Sequence, residues 1–322
     1  LPKESGERPL KRFNYILKRV LQMIPVLFCV TIVVFLMIHL IPGDPARTML
    51  GERATNAQVA ALREKLGLDK SLIEQYGIFM GGLFHGDLGM SILNKKPVLT
   101  LLGERLSLTV WLTLMATVFC LLFTIPLGYI AAVKKNQWQD QLIRAGTLVS
   151  LSVPVFWVGM LLLMAFALRI RIFPIGGWGN DVWQHFRGLV LPAFALSLSV
   201  SAVMIRNLRN NIVDVSSSDY VDFARSKGLP GGVVRSRYIV RNALIAPVTL
   251  LAMEIAYMLG GSAITETVFN LNGIGRLMVQ SIFGRDYPVV QGAVLVIALL
   301  VLTVNLLTDI LYTVLDPRVT LE

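Results

Sequence analysis

The sequence predicts an all-α membrane protein with six transmembrane helices. Three observations carry that fold class: a scarcity of charge, six long apolar runs, and a lopsided distribution of lysine and arginine. Of 322 residues, 55% are apolar and only 16% charged, whereas a soluble domain has about 45–50% and about 25%. Mean hydropathy is +0.66. Such a chain cannot cover itself with polar surface, which excludes disorder and argues against a cytosolic enzyme. The formal net charge of +10 raises nucleic acid as a partner, a question that the placement of the charges decides.

A helix needs about 20 apolar residues to cross a hydrocarbon core of about 30 Å. The runs that meet or approach this are Val20–Ile41, Leu106–Val133, Ala145–Leu168, Leu189–Ile205, Ala243–Ile264 and Tyr287–Thr308. Five hold no Asp, Glu, Lys or Arg, the fifth run holds Glu254, and the fourth is short enough to need flanking residues. The runs do not alternate polar with apolar as barrel strands do, so they read as helices. Pro25, Pro126, Pro154 and Pro192 would kink or end a soluble helix, although neighbours in a bundle shield the freed carbonyls. The first run is too long for a signal-peptide core and no small-residue cleavage site follows it, so it is expected to stay as an anchor.

Residues 1–19 form a tail with six Lys or Arg, loop 134–144 has three, loop 206–242 seven and tail 309–322 one, which gives 17 on one side. The opposite loops hold five once the long loop 42–105 is set aside, so the positive-inside rule places both termini in the cytoplasm. Net charge divides into +8 inside, +3 outside and −1 at Glu254. The excess therefore sets orientation, and no nucleic-acid partner is implied.

Within loop 42–105, Asn56–Leu68 has apolar residues at helical spacing, and Asp69 is placed to cap a second short helix through Leu72 and Tyr76. An amphipathic cover over the bundle mouth and a contact for an external partner are both open readings. In loop 169–188, Phe173, Trp178, Trp183 and Phe186 alternate with Gly176, Gly177 and Gly179, the pattern of an interfacial hairpin with an aromatic belt. Gly273-Ile274-Gly275 lacks the strand and third glycine of a dinucleotide loop and reads as a turn before the last span. Residues 106–308 then form the core of the membrane domain.

Loop 206–242 is too long for a simple connection. Asp219 suits an N-cap, Asp222 falls in the first turn, Arg225 and Lys227 in the last, Gly228 at the left-handed position after it, and Pro230 stops the helix. Eight residues do not hold a helix alone. Either the segment lies on anionic headgroups, so that membrane lipid is its partner, or it is a peg docking into a cytoplasmic protein.

No nucleotide-binding loop, Ser/His/Asp set, HExxH or GxSxG occurs, so no catalytic and no nucleotide-binding residue is assigned. Cys29 and Cys120 read as small buried hydrophobes, and His39, His85 and His185 lack metal-ligand spacing. For Glu254 a structural role and a pathway-lining role are both open.

Asp219-Tyr220-Val221-Asp222-Phe223-Ala224-Arg225-Ser226-Lys227-Gly228-Leu229 resembles the coupling segment of ABC importer permeases of the peptide/nickel (dipeptide, oligopeptide, glutathione, nickel) family. Asp222 stands for that pattern's acid, Ala224 for its second small residue and Gly228 for its glycine, while Phe223 departs from the first small position. The resemblance extends from Tyr15 onward, through Ile41-Pro42-Gly43-Asp44-Pro45, Leu66-Gly67-Leu68-Asp69, Gly86-Asp87-Leu88-Gly89-Met90-Ser91 and Arg241–Pro247. It continues through Gly261-Ser262, Glu266, Phe269, Gly273, Gly275, Arg285-Asp286-Tyr287-Pro288, Asp309, Tyr312 and Asp316-Pro317-Arg318, with Leu271-Asn272 replacing a frequent Trp-Pro.

The resemblance implies a type I ABC importer permease fold and a non-catalytic subunit of the first, B-type kind in a bacterial cytoplasmic (inner) membrane. It implies a second homologous permease, two cytoplasmic ATPases that bind MgATP, and an extracytoplasmic solute-binding protein. Asp219, Tyr220, Asp222, Ala224, Arg225, Lys227 and Gly228 would form the ATPase-coupling helix. Di- or oligopeptides would be the solutes, with nickel or a metal chelate as the alternative and a self-contained secondary carrier as the competing class.

Overall fold

A computed structural model describes residues 7–40, 44–51, 53–179 and 181–315. The first residues of the N-terminal tail, the Ile41-Pro42-Gly43 motif and Asp316-Pro317-Arg318 lie outside them. The described residues form fourteen α-helices and two π-helical segments. They are α1 (Glu7–Leu40), α2 (Pro45–Leu50), α3 (Asn56–Leu66), α4 (Leu72–Phe84), α5 (Val98–Val133), α6 (Trp138–Ser152) and α7 (Val155–Leu162), which runs on as a π-helix over Leu163–Arg169. Next come α8 (Val182–Ser216), α9 (Asp219–Ser226), α10 (Gly231–Val233), a π-helix over Val234–Val240 and α11 (Arg241–Ala243). The chain closes with α12 (Ile245–Val268), α13 (Ile274–Phe283) and α14 (Tyr287–Leu315).

Five helical segments are long and apolar enough to cross a membrane, and a sixth span is the bent pair α6 and α7. The apolar run 145–168 predicts one continuous third span, but α6 and α7 meet at 99°. Pro154 is the cause. It has no N–H to give the helix and forces the residue before it out of helical geometry, and Val153 is extended at φ −94°, ψ 125°. Pro25, Pro126 and Pro192 instead sit inside continuous helices. The helices also overrun the apolar runs: α5 starts at Val98, and α8 continues to Ser216, so the segment expected as loop 206–242 begins with three turns of helix.

The spans are not equivalent. In the apolar window of α8, 72% of residues are buried, against 17% for α1, so α8 is the axis around which the others pack. Leu108, Leu112, Ala116 and Cys120 of α5 meet Leu196, Val200 and Met204 of α8, and Met258, Phe269 and Leu271 close that cluster. Close approach depends on small residues: a side chain at Gly128 would come within 3.0–3.2 Å of Leu208. Cys120 is buried as expected, but Cys29 is exposed, because α1 lies at the periphery of the chain and turns that face outward.

The segment between α1 and α5 does not hang free. Thr55 and Gln58 form a capping box on α3, and Ser71 with Glu74 forms one on α4. The expected cap at Asp69 is therefore corrected to Ser71. Asp69 instead pairs with Arg63 at 3.2 Å, and the Ser71 hydroxyl and amide hold the Glu74 carboxyl below its ordinary range. Tyr76 of α4 lies against α1, with its hydroxyl 2.8 Å from Thr31 and its ring edge-on to Phe28 and Phe35. Residues 170–179 are irregular and form no hairpin. Half-buried Phe173 and Trp178 pack against the core while Ile170, Ile172 and Ile175 stay exposed, and Trp178 stacks on His185 with centroids 4.0 Å apart.

Candidate functional site

Of the coupling residues singled out by the sequence, Asp219, Tyr220, Asp222, Ala224 and Arg225 lie on α9, and Lys227, expected in its last turn, and Gly228 follow its end. The bounds of α9 follow from local chemistry. Asp219 and Asp222 occupy the first turn and Arg225 the last, each at the helix end whose partial charge it opposes. Gly228 has φ +72°, the left-handed conformation that terminates helices, and its N–H donates to the Arg225 carbonyl at 2.9 Å. Asp219, however, is not the cap. Ser218 holds that position in extended geometry with no side-chain cap bond, because its hydroxyl donates instead to the Val215 carbonyl at 2.6 Å and closes the end of α8.

One face of α9 is anchored and the other is free. Val221 and Ala224 are buried in a cluster with Ala132, Leu208, Ile212, Val234 and Ile239, so α9 rests on the ends of α5 and α8 and on the π-helical turn after it. Burying Val221 contributes roughly 1.5–3 kcal/mol, enough to hold a helix too short to persist alone. Outward, Tyr220 and Phe223 are 45% and 61% exposed. The Asp222 carboxylate accepts from Arg225 at 3.0 Å, and Lys227 Nζ lies 4.5 Å from the Phe223 ring centroid. Asn242 donates to the Tyr238 carbonyl at 2.7 Å and approaches the Tyr220 hydroxyl at 3.4 Å, tying α9 to the chain entering α12. The outward face is thus an aromatic pair flanked by both signs of charge, in a fixed orientation.

The support beneath α9 includes a pair that sequence reasoning missed. Asp140, fully buried at the start of α6, accepts from Arg209 of α8 at 2.8 and 2.6 Å and from the Asn136 N–H at 2.9 Å. This two-pronged bond crosslinks α6 to α8 near the base of α9. Nothing local marks it, since the partners are 69 residues apart.

The opposite end of the bundle is held by two further buried carboxylates. Glu266 accepts from the Thr109 hydroxyl at 2.9 Å, the Ser262 hydroxyl at 3.1 Å and the Arg276 N–H at 2.7 Å. Thr109 in turn accepts the Ile274 N–H at 2.9 Å, so α5, α12 and α13 share one carboxylate. The two glycines read as a turn are part of this fit: a side chain at Gly273 would strike Glu266, and one at Gly275 would lie 2.7 Å from the Ala263 main chain. Asp286 accepts from the Ser91 hydroxyl at 2.5 Å, the Ile92 N–H at 2.9 Å and the Leu93 N–H at 3.1 Å, which fastens the long loop to the start of α14.

Glu254 stands apart from both groups. It is half-buried in mid-α12 and hydrogen-bonds to no described residue. An apolar cavity of about 270 Å³ lies between α5, α12 and α14, lined in part by Thr117, Ile255 and Val304. No group of three or more His, Cys, Asp or Glu among the described residues could hold a metal ion.

Comparisons with known proteins agree with this architecture. Residues 124–321 match the family described as the binding-protein-dependent transport system inner membrane component, and residues 12–113 match the N-terminal component of such transport-system membrane proteins. The glutathione transport system permease protein GsiC of Escherichia coli strain K12 is 39% identical over 306 residues, covering 95% of this chain and 98% of that protein. GsiC of Shigella flexneri serotype 5b gives the same figures. Among solved structures, an inward-facing form of the MetNI methionine ABC transporter superposes with a TM-score of 0.56 at 15% identity, over 67% of this chain and 96% of that one, which shows a shared fold. The chain therefore belongs to the binding-protein-dependent transport system inner membrane component family, and is a multi-pass inner-membrane permease of an ABC importer.

Proposed function

We propose that this permease forms half of a translocation pathway for a peptide-like solute and receives its driving force through α9. The outward face of α9 carries this reading: Tyr220, Phe223 and the Asp222–Arg225 pair are exposed on a helix whose other face is fixed to the bundle. A face of that kind suits docking to a protein. With both termini in the cytoplasm, as the lysine and arginine bias implies, α9 lies on the side where ATP is available. Two ATPase subunits that close on MgATP would carry α9 with them, and the bundle would follow through the Asp140–Arg209 link. The chain has no nucleotide loop of its own, so hydrolysis belongs to those subunits. A second, homologous permease would complete the pathway, and a solute-binding protein on the other side would deliver the cargo.

Glutathione and short peptides are the solutes this reading favours, because the GsiC relatives are glutathione permeases over nearly their whole length. The test is to reconstitute the transporter and measure ATP hydrolysis with its binding protein loaded in turn with glutathione, di- and oligopeptides, and nickel or a nickel chelate. Stimulation by glutathione or peptides is expected. Stimulation by nickel alone would overturn the solute assignment, and uptake with no ATPase subunit present would overturn the importer mechanism.

A further inference from the structure

We propose that a groove between α6 and α8 binds one anionic phospholipid. Its head is a cavity of about 310 Å³ at the α9 end of the bundle, where Arg144, Arg206, Arg209, Asn210 and Thr147 supply the polar lining and Leu148 and Leu151 are among the apolar residues. Its tail is a second cavity of about 180 Å³ that shares Ile143, Thr147 and Ile205 with the first and continues along Phe123, Leu127 and Leu198. A basic head joined to an apolar trough has the shape and polarity of a phospholipid, whereas a soluble anion would have no use for the trough.

The charge balance of the head points to an anion. Asp140 engages Arg209 through two hydrogen bonds, and Asn210 Oδ1 accepts a third from Arg209 at 3.1 Å. Asp140 is thereby committed. The side chains of Arg144 and Arg206 make no salt bridge or hydrogen bond with any described residue, although the Arg144 charge also acts on Asp140 through space. Three guanidinium groups thus border one cavity against the single carboxylate of Asp140, which leaves two positive charges for a phosphate. Depth agrees as well. Arg144 immediately precedes the apolar run 145–168 and Arg206 immediately follows the run 189–205, so both lie at one membrane interface. Basic pockets between spans at such an interface are where anionic headgroups bind. The groove also lies between the two helices that the Asp140–Arg209 pair joins, so a bound lipid would brace the base of α9.

The test uses the assembled transporter in nanodiscs containing phosphatidylglycerol, or phosphatidylcholine, with a photoreactive acyl chain, followed by peptide mapping. Label on residues 143–151 and 198–206 is expected to be roughly thirtyfold higher with phosphatidylglycerol, since each of the two Arg near an anionic surface contributes about 1 kcal/mol. Arg144→Gln with Arg206→Gln should lower it to the phosphatidylcholine level. Gly146→Leu is the second variant. A Cβ there meets nothing within 4 Å, so the side chain fits into the trough and should displace the labelled chain while leaving the arginines in place. Equal labelling by both lipids, or label unchanged in either variant, would overturn the proposal. Loss of label on adding excess inorganic phosphate would show a soluble-anion site, and crosslinks from this groove to the second permease would show a subunit interface. Either result would also overturn it.

Discussion

The polar networks at one end of the bundle and the seat of α9 at the other are built on opposite principles. At the end bearing α13, Glu266 and Asp286 are fully buried and each accepts at least three hydrogen bonds, from groups up to 195 residues away. At the other end α9 is held by two buried side chains, Val221 and Ala224, and exposes its remaining face. A buried carboxylate network has one satisfied geometry, and disturbing it leaves unpaired polar groups in a low-dielectric interior. An apolar seat of two side chains is tolerant of small rotations. The difference teaches where this permease can move: buried carboxylates fix the helices at both ends, through Glu266 and Asp286 at one and through Asp140 at the other, and α9 alone rests on an apolar seat as a lever.

The largest expected effect is in the carboxylate networks. Glu266→Ala would strand the Thr109 hydroxyl and the Arg276 N–H and leave the Ser262 hydroxyl only the Leu259 carbonyl, at a cost on the order of 3–5 kcal/mol. The protein should fail to accumulate or should melt far below the parent in detergent. Normal melting would remove the contrast between networks and seat. Asp140→Ala comes next, because it leaves Arg209 without its carboxylate. About 3 kcal/mol is expected for a broken buried pair, read as a lower melting midpoint, with partial recovery when Arg209 is also replaced by a neutral residue. If the double variant were no better than the single one, the pair would not be the link between α6 and α8.

At the lever itself, effects on stability shrink while effects on transport grow. Ala224→Leu overfills the seat of α9 and should cost about 1–3 kcal/mol, seen as faster hydrogen exchange confined to residues 219–229. Exchange protection lost throughout the bundle would mean that α9 is part of the fixed core. Phe223→Ala removes an exposed ring and should change stability by less than about 0.5 kcal/mol, yet weaken copurification of the ATPases. Unchanged copurification would place the docking contact elsewhere.

Much of this was legible in the sequence. Six spans follow from composition because lipid permits few alternatives for a long apolar run. The extent of α9 follows from Asp222, Arg225 and Gly228, each of which acts on its own neighbours. Its cap did not, since Ser218 and Asp219 are both good capping residues, and the choice is made by the end of α8, which uses the Ser218 hydroxyl. The 99° break at Pro154 was not separable from Pro25, Pro126 and Pro192, whose helices run on. Glu266 and Asp286 fell within the family resemblance, but their partners are set by folding over 157 and 195 residues. Asp140 carried no signal at all. Glu254, conspicuous by composition, joins no network among the described residues, so an intramembrane carboxylate and a structural hub proved to be different things here.

The central claim is that α9 transmits force without being needed for assembly. The direct measurement is solute uptake and solute-stimulated ATP hydrolysis by the reconstituted transporter carrying Gly228→Pro or Asp222→Lys. Proline cannot adopt the φ of +72° found at Gly228. Replacing the Asp222 carboxylate with an ammonium group would repel Arg225 and oppose the helix dipole. The account predicts that both variants insert and assemble while uptake is lost and hydrolysis no longer responds to loaded binding protein. Normal uptake by both would contradict it.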